Sequence, residues 1–228
     1  MEDKASYIHS NFTAIADKYD LHNTLLSYNR DKYWRKFAVS KTGVTGGERI
    51  LDIATGTGKL ALELAKEAGE RGEVIGIDFC QKMLDKARGK KENLELVLAT
   101  SESLPFPEDT FDCATIGFAL RNVVDMEKTI QEMIRVLKPG GKAVCLEFSH
   151  PRNRLFKKIY RLYIFTILPL IGGLISGHRD VYAYLPRSIE EFLQPEELVQ
   201  IMEEAGLKDV QFYPLTWGIT SVHVGTKG

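Results

Sequence analysis

Two glycines, a carboxylate and an Arg-Asn pair are the residues of this chain whose types and spacing could do chemistry. The glycines lie in Arg49-Ile-Leu-Asp-Ile-Ala-Thr-Gly-Thr-Gly-Lys59, and the carboxylate, Asp78, ends Val74-Ile-Gly-Ile-Asp78. An apolar run ending in Gly56-Thr-Gly58 lets backbone approach a ligand where a Cβ would clash. An Asp at the tip of the following strand can accept hydrogen bonds from both hydroxyls of a ribose. Together they describe a nucleotide site. With Ala61 the turn satisfies G-x-G-x-x-A, so an NAD site is allowed. Asp52, just before the turn, argues against a dinucleotide pyrophosphate, which would meet an extra negative charge there. Beside a cationic ligand such as a sulfonium or an α-amino group, the same Asp is favourable. Its purely structural alternative is to bond backbone amides of the turn. Arg121-Asn122 follow an apolar run at 111–117, at the strand end where α/β folds gather functional groups.

Alternating elements are needed to position these groups. Strands are expected at 49–53, 74–78, 94–98, 111–117, 142–148, 208–214 and 219–226, with helices near 58–69, 81–89, 126–137 and 195–205. Strands separated by helices of this length indicate a parallel sheet with crossover helices. Lys138-Pro-Gly-Gly141 is expected to end one helix and turn into the next strand. Residues 1–42 read as helical, with Tyr7, Phe12, Ile15, Tyr19, Leu25, Leu26, Tyr33, Trp34 and Phe37 on the apolar face.

The 228 residues suit one α/β domain, and 44% hydrophobic content is enough for a real core. A net charge of −1 gives no global case for nucleic-acid binding. Three cysteines without C-x-x-C spacing favour a reduced, cytoplasmic protein. No metal site is expected, since none of the five histidines pairs at i, i+4. The opening Met-Glu-Asp-Lys has no apolar core, so no signal peptide is expected.

One segment breaks the alternation. His150–Arg161 carries Arg152, Arg154, Lys157, Lys158 and Arg161 and no acid, and runs into the uncharged stretch Leu162–Ile175. That stretch is shorter than the roughly 20 residues that span a bilayer, and Pro169 and Gly172-Gly173 interrupt it. Two readings are open: a buried insertion helix, or a greasy lid over a hydrophobic substrate with the basic run facing anionic headgroups.

Read in order, Leu51-Asp-Ile-Ala-Thr-Gly-Thr-Gly58, Gly76-Ile-Asp78, Leu104-Pro-Phe-Pro-Glu-Asp-Thr-Phe-Asp112 and Arg135-Val-Leu-Lys-Pro-Gly-Gly141 resemble the motifs of class I S-adenosylmethionine methyltransferases. A narrower resemblance covers nearly the whole chain. Tyr19-Asp-Leu-His-Asn23, Leu25-Leu-Ser27, Ala119-Leu-Arg-Asn-Val123, Leu146-Glu-Phe-Ser149, Tyr184-Leu-Pro-Arg-Ser-Ile189 and Leu215-Thr-Trp-Gly-Ile219 with His223 are similar to the ubiquinone/menaquinone C-methyltransferase family. The chain departs from that pattern at Thr100-Ser101, where Asn-Ala or Asp-Ala is common, at Trp217, and at Arg187, where an acid is common.

The resemblance implies an α/β, Rossmann-like class I methyltransferase fold: a mostly parallel seven-stranded sheet with helices on both faces. Residues 1–228 would form one domain, with 1–45 as an N-terminal helical cover and 150–190 as a substrate-lid insertion. It implies S-adenosyl-L-methionine as cofactor and methylation of a ring carbon of a polyprenylated quinol, with demethylmenaquinol as the expected acceptor. A class I O- or N-methyltransferase acting on another small hydrophobic molecule is the alternative, and a non-catalytic cofactor-binding regulator is a third reading. Gly56, Thr57 and Gly58 would meet the methionine end of the cofactor, Asp78 its ribose, and Phe79 and Met83 its adenine. Thr100 and Ser101 would lie at the adenine edge, Gly117 near the transferring methyl, and Asp52 close by. Thr57 could equally cap the helix, and Met83 could equally be core. Tyr19 would face the cofactor from the cover, with Tyr19, Arg121 and Asn122 acting in catalysis. Arg121 would stabilise a phenolate as charge develops; its alternative is to anchor a loop through a salt bridge. His150, His178 and His223 are candidate bases, with a structural role the expectation for each. The expected partners are a polyprenyl quinol and an anionic membrane surface met through 152–175. No nucleic acid is expected, and a homodimer is compatible. The expected location is the cytoplasm with peripheral membrane association.

Overall fold

The computed structural model describes Ser6, Ser10, Thr13, Ala14, Ala16, Asp20, Thr24 and residues 27–170 and 179–228, with the side chains of 179–183 left aside. Seven strands form one sheet: β1 Arg49–Ile53, β2 Glu73–Asp78, β3 Leu94–Leu98, β4 Phe111–Gly117, β5 Leu137–Phe148, β6 Leu207–Leu215 and β7 Thr220–Lys227. Their spatial order is β3-β2-β1-β4-β5-β7-β6. The first five are parallel, whereas β7 runs antiparallel to both β5 and β6. The order reverses between β1 and β4. That places a crevice at the carboxyl ends of β1, β2 and β4, where open α/β sheets bind ligands.

The described helices are α1 Arg30–Thr42, α2 Lys59–Ala68, α3 Gln81–Ala87, α4 Met126–Val136, α5 Arg154–Leu162, α6 Arg179–Glu190 and α7 Pro195–Glu204. Strand alternation divides the core between the two faces of the sheet. Leu51, Ile53, Ile75 and Ile77 pack with Ile130 and Met133 of α4 and Leu198 and Met202 of α7. Ile50 and Val74 point the other way, onto Trp34 and Ala38 of α1 and Leu60 and Leu64 of α2. α2 can do this because Leu60, Ala61, Leu64, Ala65 and Ala68 recur at helical spacing and are all buried. Side-chain caps start α4 and α5: Asp125 accepts from Lys128 N–H, and Asn153 from Leu155 and Phe156 N–H. Pro195 opens α7 within a capping box formed by Gln194 and Glu197.

Two elements differ from the sequence reading. β5 begins at Leu137 rather than at residue 142. The Lys138-Pro-Gly-Gly141 segment is a bulge inside the strand, since the register against β4 shifts between Phe111↔Leu137 and Cys113↔Lys142. The insertion is mixed in burial: within the uncharged run Ile164 and Leu168 are buried whereas Phe165, Ile167 and Leu170 are exposed. α5 has no buried residue, and Leu155 and Leu162 are 70% and 62% exposed. A π-helical turn at Tyr163–Ile167 then buries Ile164, which packs with Leu168 against Tyr160, Tyr163 and Leu185. Residues 171–178, the end of the expected greasy stretch, lie outside the described residues. Among the described residues no helix is long and apolar enough to cross a membrane.

Candidate active site

The carboxyl ends of β1, β2 and β4 open onto a cavity of about 860 Å³ that includes its mouth. Its wall includes Ala54 and Gly56 after β1, and Asp78, Phe79 and Met83 from β2 onward. Ala99–Glu102 follow β3, and Gly117–Ala119 with Asn122–Val124 follow β4. Backbone strain marks the rim, because Ala54 (φ 52°) and Phe118 (φ 58°) adopt left-handed conformations that non-glycine residues rarely take.

Asp78 is buried at the centre of this wall. Its Oδ2 accepts Gly56 N–H at 2.8 Å and its Oδ1 accepts Cys80 N–H at 2.8 Å. The carboxylate is thereby held rigidly, and the negative charge stays where a diol could donate to it. Gly56 has φ 58°, and a Cβ added there would meet nothing within 4 Å. That open space is cavity, so no side chain stands between the Gly56 backbone and whatever occupies it. Gly58 (φ 79°) serves packing, since a Cβ there would lie 3.0 Å from Ala87 Cβ of α3. Gly117 allows Leu60 to approach, with a Cβ meeting its Cδ2 at 3.0 Å. Met83 is both core, packed with Ala16 and Cys80, and cavity wall. Ser101 Oγ lies 3.1 Å from Thr129 Oγ1, which ties the segment after β3 to α4. Thr100 is exposed at the rim and bridges to Ser103.

Asp52 lies beneath the turn and does not line the cavity. It pairs in register with Thr115 of β4, so both side chains leave the same face of the sheet. Its two carboxylate oxygens accept the hydroxyls of Thr55 and Thr115, each at 2.6 Å. The carboxylate is therefore held by two hydroxyls and the Ala61 backbone amide, where the sequence suggested backbone amides of the turn or a ligand cation. Burial pushes its pKa up to about 6, against the opposing pull of the threonine bonds and Arg35.

Thr57 also turns away from the cavity. α2 begins on Gly58 with no side-chain cap, and the Thr57 hydroxyl donates to Asp20 Oδ1 at 2.6 Å instead. Lys59 Nζ donates to Asp20 O and Thr24 Oγ1 and lies 3.5 Å from Asp31 Oδ2. Lys90 Nζ donates to Thr57 O and lies 3.9 Å from Asp20 Oδ2. Burial works against ionisation of Asp31, yet Arg35 and Lys59 hold its carboxyl below the usual range. The N-terminal segment is thus fastened to the glycine turn by charge at Asp20. The signal for this role of Lys59 in the sequence is only a single cation directly after the second glycine. Tyr19 lies outside the described residues.

Arg121 and Asn122 are neighbours in sequence but face different surroundings. Asn122 lines the cavity and its Oδ1 accepts the Tyr184 hydroxyl at 3.1 Å. Arg121 does not line it. Its Nη1 donates to Glu147 Oε1 at 2.6 Å and to Phe118 O at 2.7 Å, with both side chains nearly inaccessible. Of the candidate bases, His150 Nε2 is engaged with Phe192 O at 2.9 Å, away from the cavity wall. His223 is buried in β7 with Nε2 against Pro195 O at 3.0 Å, and burial lowers its pKa to about 4. His178 lies outside the described residues.

The donor set suits a nucleoside with a cationic methionine tail: a fixed anion for the ribose, an open glycine, an apolar floor at Phe79 and Met83, and, among the described residues, no cation on the wall to repel a sulfonium. Comparison with known proteins agrees. Residues 1–227 match the model of the ubiE/COQ5 methyltransferase family. A Geobacter sulfurreducens protein named ubiquinone/menaquinone biosynthesis C-methyltransferase UbiE is 43% identical, covering 100% of this chain and 91% of its own. Its Hahella chejuensis namesake is 41% identical over 99% of this chain and 93% of its own. Among solved structures, a SAM-dependent methyltransferase of Thermotoga maritima superposes with TM-score 0.70 at 21% identity, over 97% of this chain and 100% of its own. One from Aquifex aeolicus gives TM-score 0.66 at 19% identity, over 92% and 98%. At such identities the structural matches speak to fold alone.

Proposed function

Because this chain belongs to the ubiE/COQ5 methyltransferase family, and so is a methyltransferase dependent on S-adenosyl-L-methionine, we propose that it methylates a ring carbon of a polyprenylated quinol, with demethylmenaquinol as the acceptor. The relatives' names, ubiquinone/menaquinone biosynthesis C-methyltransferase, support a quinone substrate. One structural observation carries the reading. The insertion that presents exposed Leu155, Ile159, Leu162, Phe165, Ile167 and Leu170 also reaches the cavity wall through Tyr184 and Asn122. A soluble polar acceptor would give that apolar surface no purpose, whereas a prenyl tail needs one beside the reacting ring.

The bound cofactor supplies an electrophilic methyl group. The protein's own groups hold the acceptor and steady the charge that develops on it. A ring carbon becomes nucleophilic as its neighbouring hydroxyl gives its proton to water, and donors aimed at that oxygen stabilise the phenolate. The hydrogen displaced from the methylated carbon leaves as a proton to water when the ring regains aromaticity. Since Asn122 Oδ1 is taken by Tyr184, its amide nitrogen is the atom suited to donate there. Arg121, paired with Glu147, acts from behind the same turn. Orientation of the two reactants accounts for much of the rate, as proximity can supply about 7–11 kcal/mol.

We also propose that α5 rests on an anionic membrane. Its flank carries Arg152, Arg154, Lys157, Lys158 and Arg161, all exposed, beside the exposed leucines and isoleucine. A methyl-transfer assay with labelled cofactor tests the function. Label should enter demethylmenaquinol. Transfer only to a demethylated ubiquinol precursor would overturn the ring assignment, and transfer to neither, with a soluble phenol accepted, would overturn the quinol reading.

A further inference from the structure

Glu147 is a fully buried carboxylate near the end of β5, and its contacts converge on one turn. Oε1 accepts Arg121 Nη1 at 2.6 Å and Phe148 N–H at 2.8 Å, while Oε2 accepts Arg121 N–H at 3.3 Å. Arg121 passes the restraint on. Its Nη1 donates to Phe118 O at 2.7 Å, its Nε donates to Ser188 Oγ at 3.3 Å, and its guanidinium carbon lies 5.1 Å from the centre of the Phe148 ring.

The turn so gripped, Phe118–Asn122, has two sides. Phe118, Ala119 and Asn122 form cavity wall, and Arg121 faces the other way. Phe118 needs the grip, because its φ of 58° is strained for an aromatic residue. On the far side stands α6. Tyr184 and Ser188, one helical turn apart and therefore on one face, bond to Asn122 and Arg121 respectively. The turn is thus the joint between the cofactor cavity and the insertion.

We propose that Glu147 is a positioning residue for methyl transfer: by holding Arg121 it fixes the Phe118–Asn122 turn against α6 and so sets where the acceptor ring meets the cofactor. This rests on the quinol reading for the identity of the acceptor, but not for the joint itself. A carboxylate is required because one oxygen takes a guanidinium and a backbone amide together while the other takes a second amide, a load a neutral amide side chain cannot carry. Misplacement by an ångström in such a frame can cost roughly 100-fold in rate.

The test is Glu147→Gln, which keeps shape and volume, beside Ser188→Ala, which removes only the contact to α6. With Glu147→Gln, kcat for methyl transfer should fall about 100-fold, with cofactor Kd by calorimetry within about twofold of wild type. Ser188→Ala should raise the quinol KM while leaving cofactor Kd unchanged. Hydrogen exchange at the amides of 184–190 should quicken in Glu147→Gln while β1 and β4 keep their protection. Turnover within about threefold of wild type, or cofactor affinity falling in step with turnover, would overturn the proposal. Unchanged exchange at 184–190 would overturn it too, and that readout needs no substrate. A wild-type chain inactive on every quinol, with the exchange difference present, would instead sink the quinol reading and leave the joint standing.

Discussion

Asp78 Oδ2 accepts the Gly56 amide at 2.8 Å, which joins the end of β2 to the glycine turn after β1. The Asp78 carboxylate and the glycine turn on the cavity wall are therefore held as one piece. With Oδ1 on Cys80 N–H, a change at Asp78 disturbs both the charge and the shape of the site. Asp78→Asn must point an NH2 group at one of two backbone donors. Cofactor affinity measured by calorimetry should fall at least about tenfold, since a hydrogen bond to a charged group is worth roughly 1.5–3 kcal/mol. Unchanged affinity would remove Asp78 from the site.

Gly56→Ala separates folding from binding. The left-handed φ of 58° costs an L-residue about 1–2 kcal/mol, but the new Cβ strikes no protein atom. A Tm loss of roughly 2–8 °C is expected, alongside loss of cofactor binding, because the methyl group stands in the cavity. A variant that binds cofactor normally would show that the turn is not a point of contact.

Asp52 predicts a pH-dependent stability with a definite sign. Its folded pKa is about 6 against an ordinary value of 3.8. The folded protein holds that proton more tightly, so the contribution to stability is complete below pH 3.8 and lost as pH rises through about 6. Asp52→Asn has no such proton. In urea denaturation it should gain on wild type between pH 4 and pH 7 by up to about 3 kcal/mol. Parallel profiles for the two proteins would contradict the burial argument.

The α5 surface predicts binding to vesicles containing anionic lipid. Reversing Arg154, Lys157 and Lys158 to Glu should weaken it about 100-fold or more, at roughly 1 kcal/mol per basic residue lost. Trp217 offers an optical check. It is 78% exposed and packs edge-on to Phe156 of α5 at 4.9 Å, so its emission should shift to the blue on binding. Trp34 is buried and hydrogen-bonded to Thr216, and should not report. Flotation that ignores lipid charge and these substitutions alike would refute membrane contact.

Much of the architecture is written locally. The apolar runs at 49–53, 74–78 and 111–117 are strands because short, glycine-bounded runs between amphipathic helices have few other ways to bury both faces. The glycine turn and Asp78 were readable for the same reason, since a turn and a strand end lie close in sequence to the groups they position. The start of β5 is not legible locally, because Pro139 and two glycines read as a break, whereas a bulge holds them inside a strand paired with β4.

What the sequence determined by itself was the order of elements, the crevice at the strand ends and the residue types that reach it. Only the tertiary structure decided which way those residues face. Asp52 and Thr57 stand in the motif yet turn to Thr115 and Asp20, and Arg121 turns to Glu147 while its neighbour Asn122 takes the cavity. Each of those partners is 26 or more positions away along the chain. A buried polar group must find a hydrogen-bond partner in space, and no local pattern of hydrophobicity or spacing records which distant side chain will supply it.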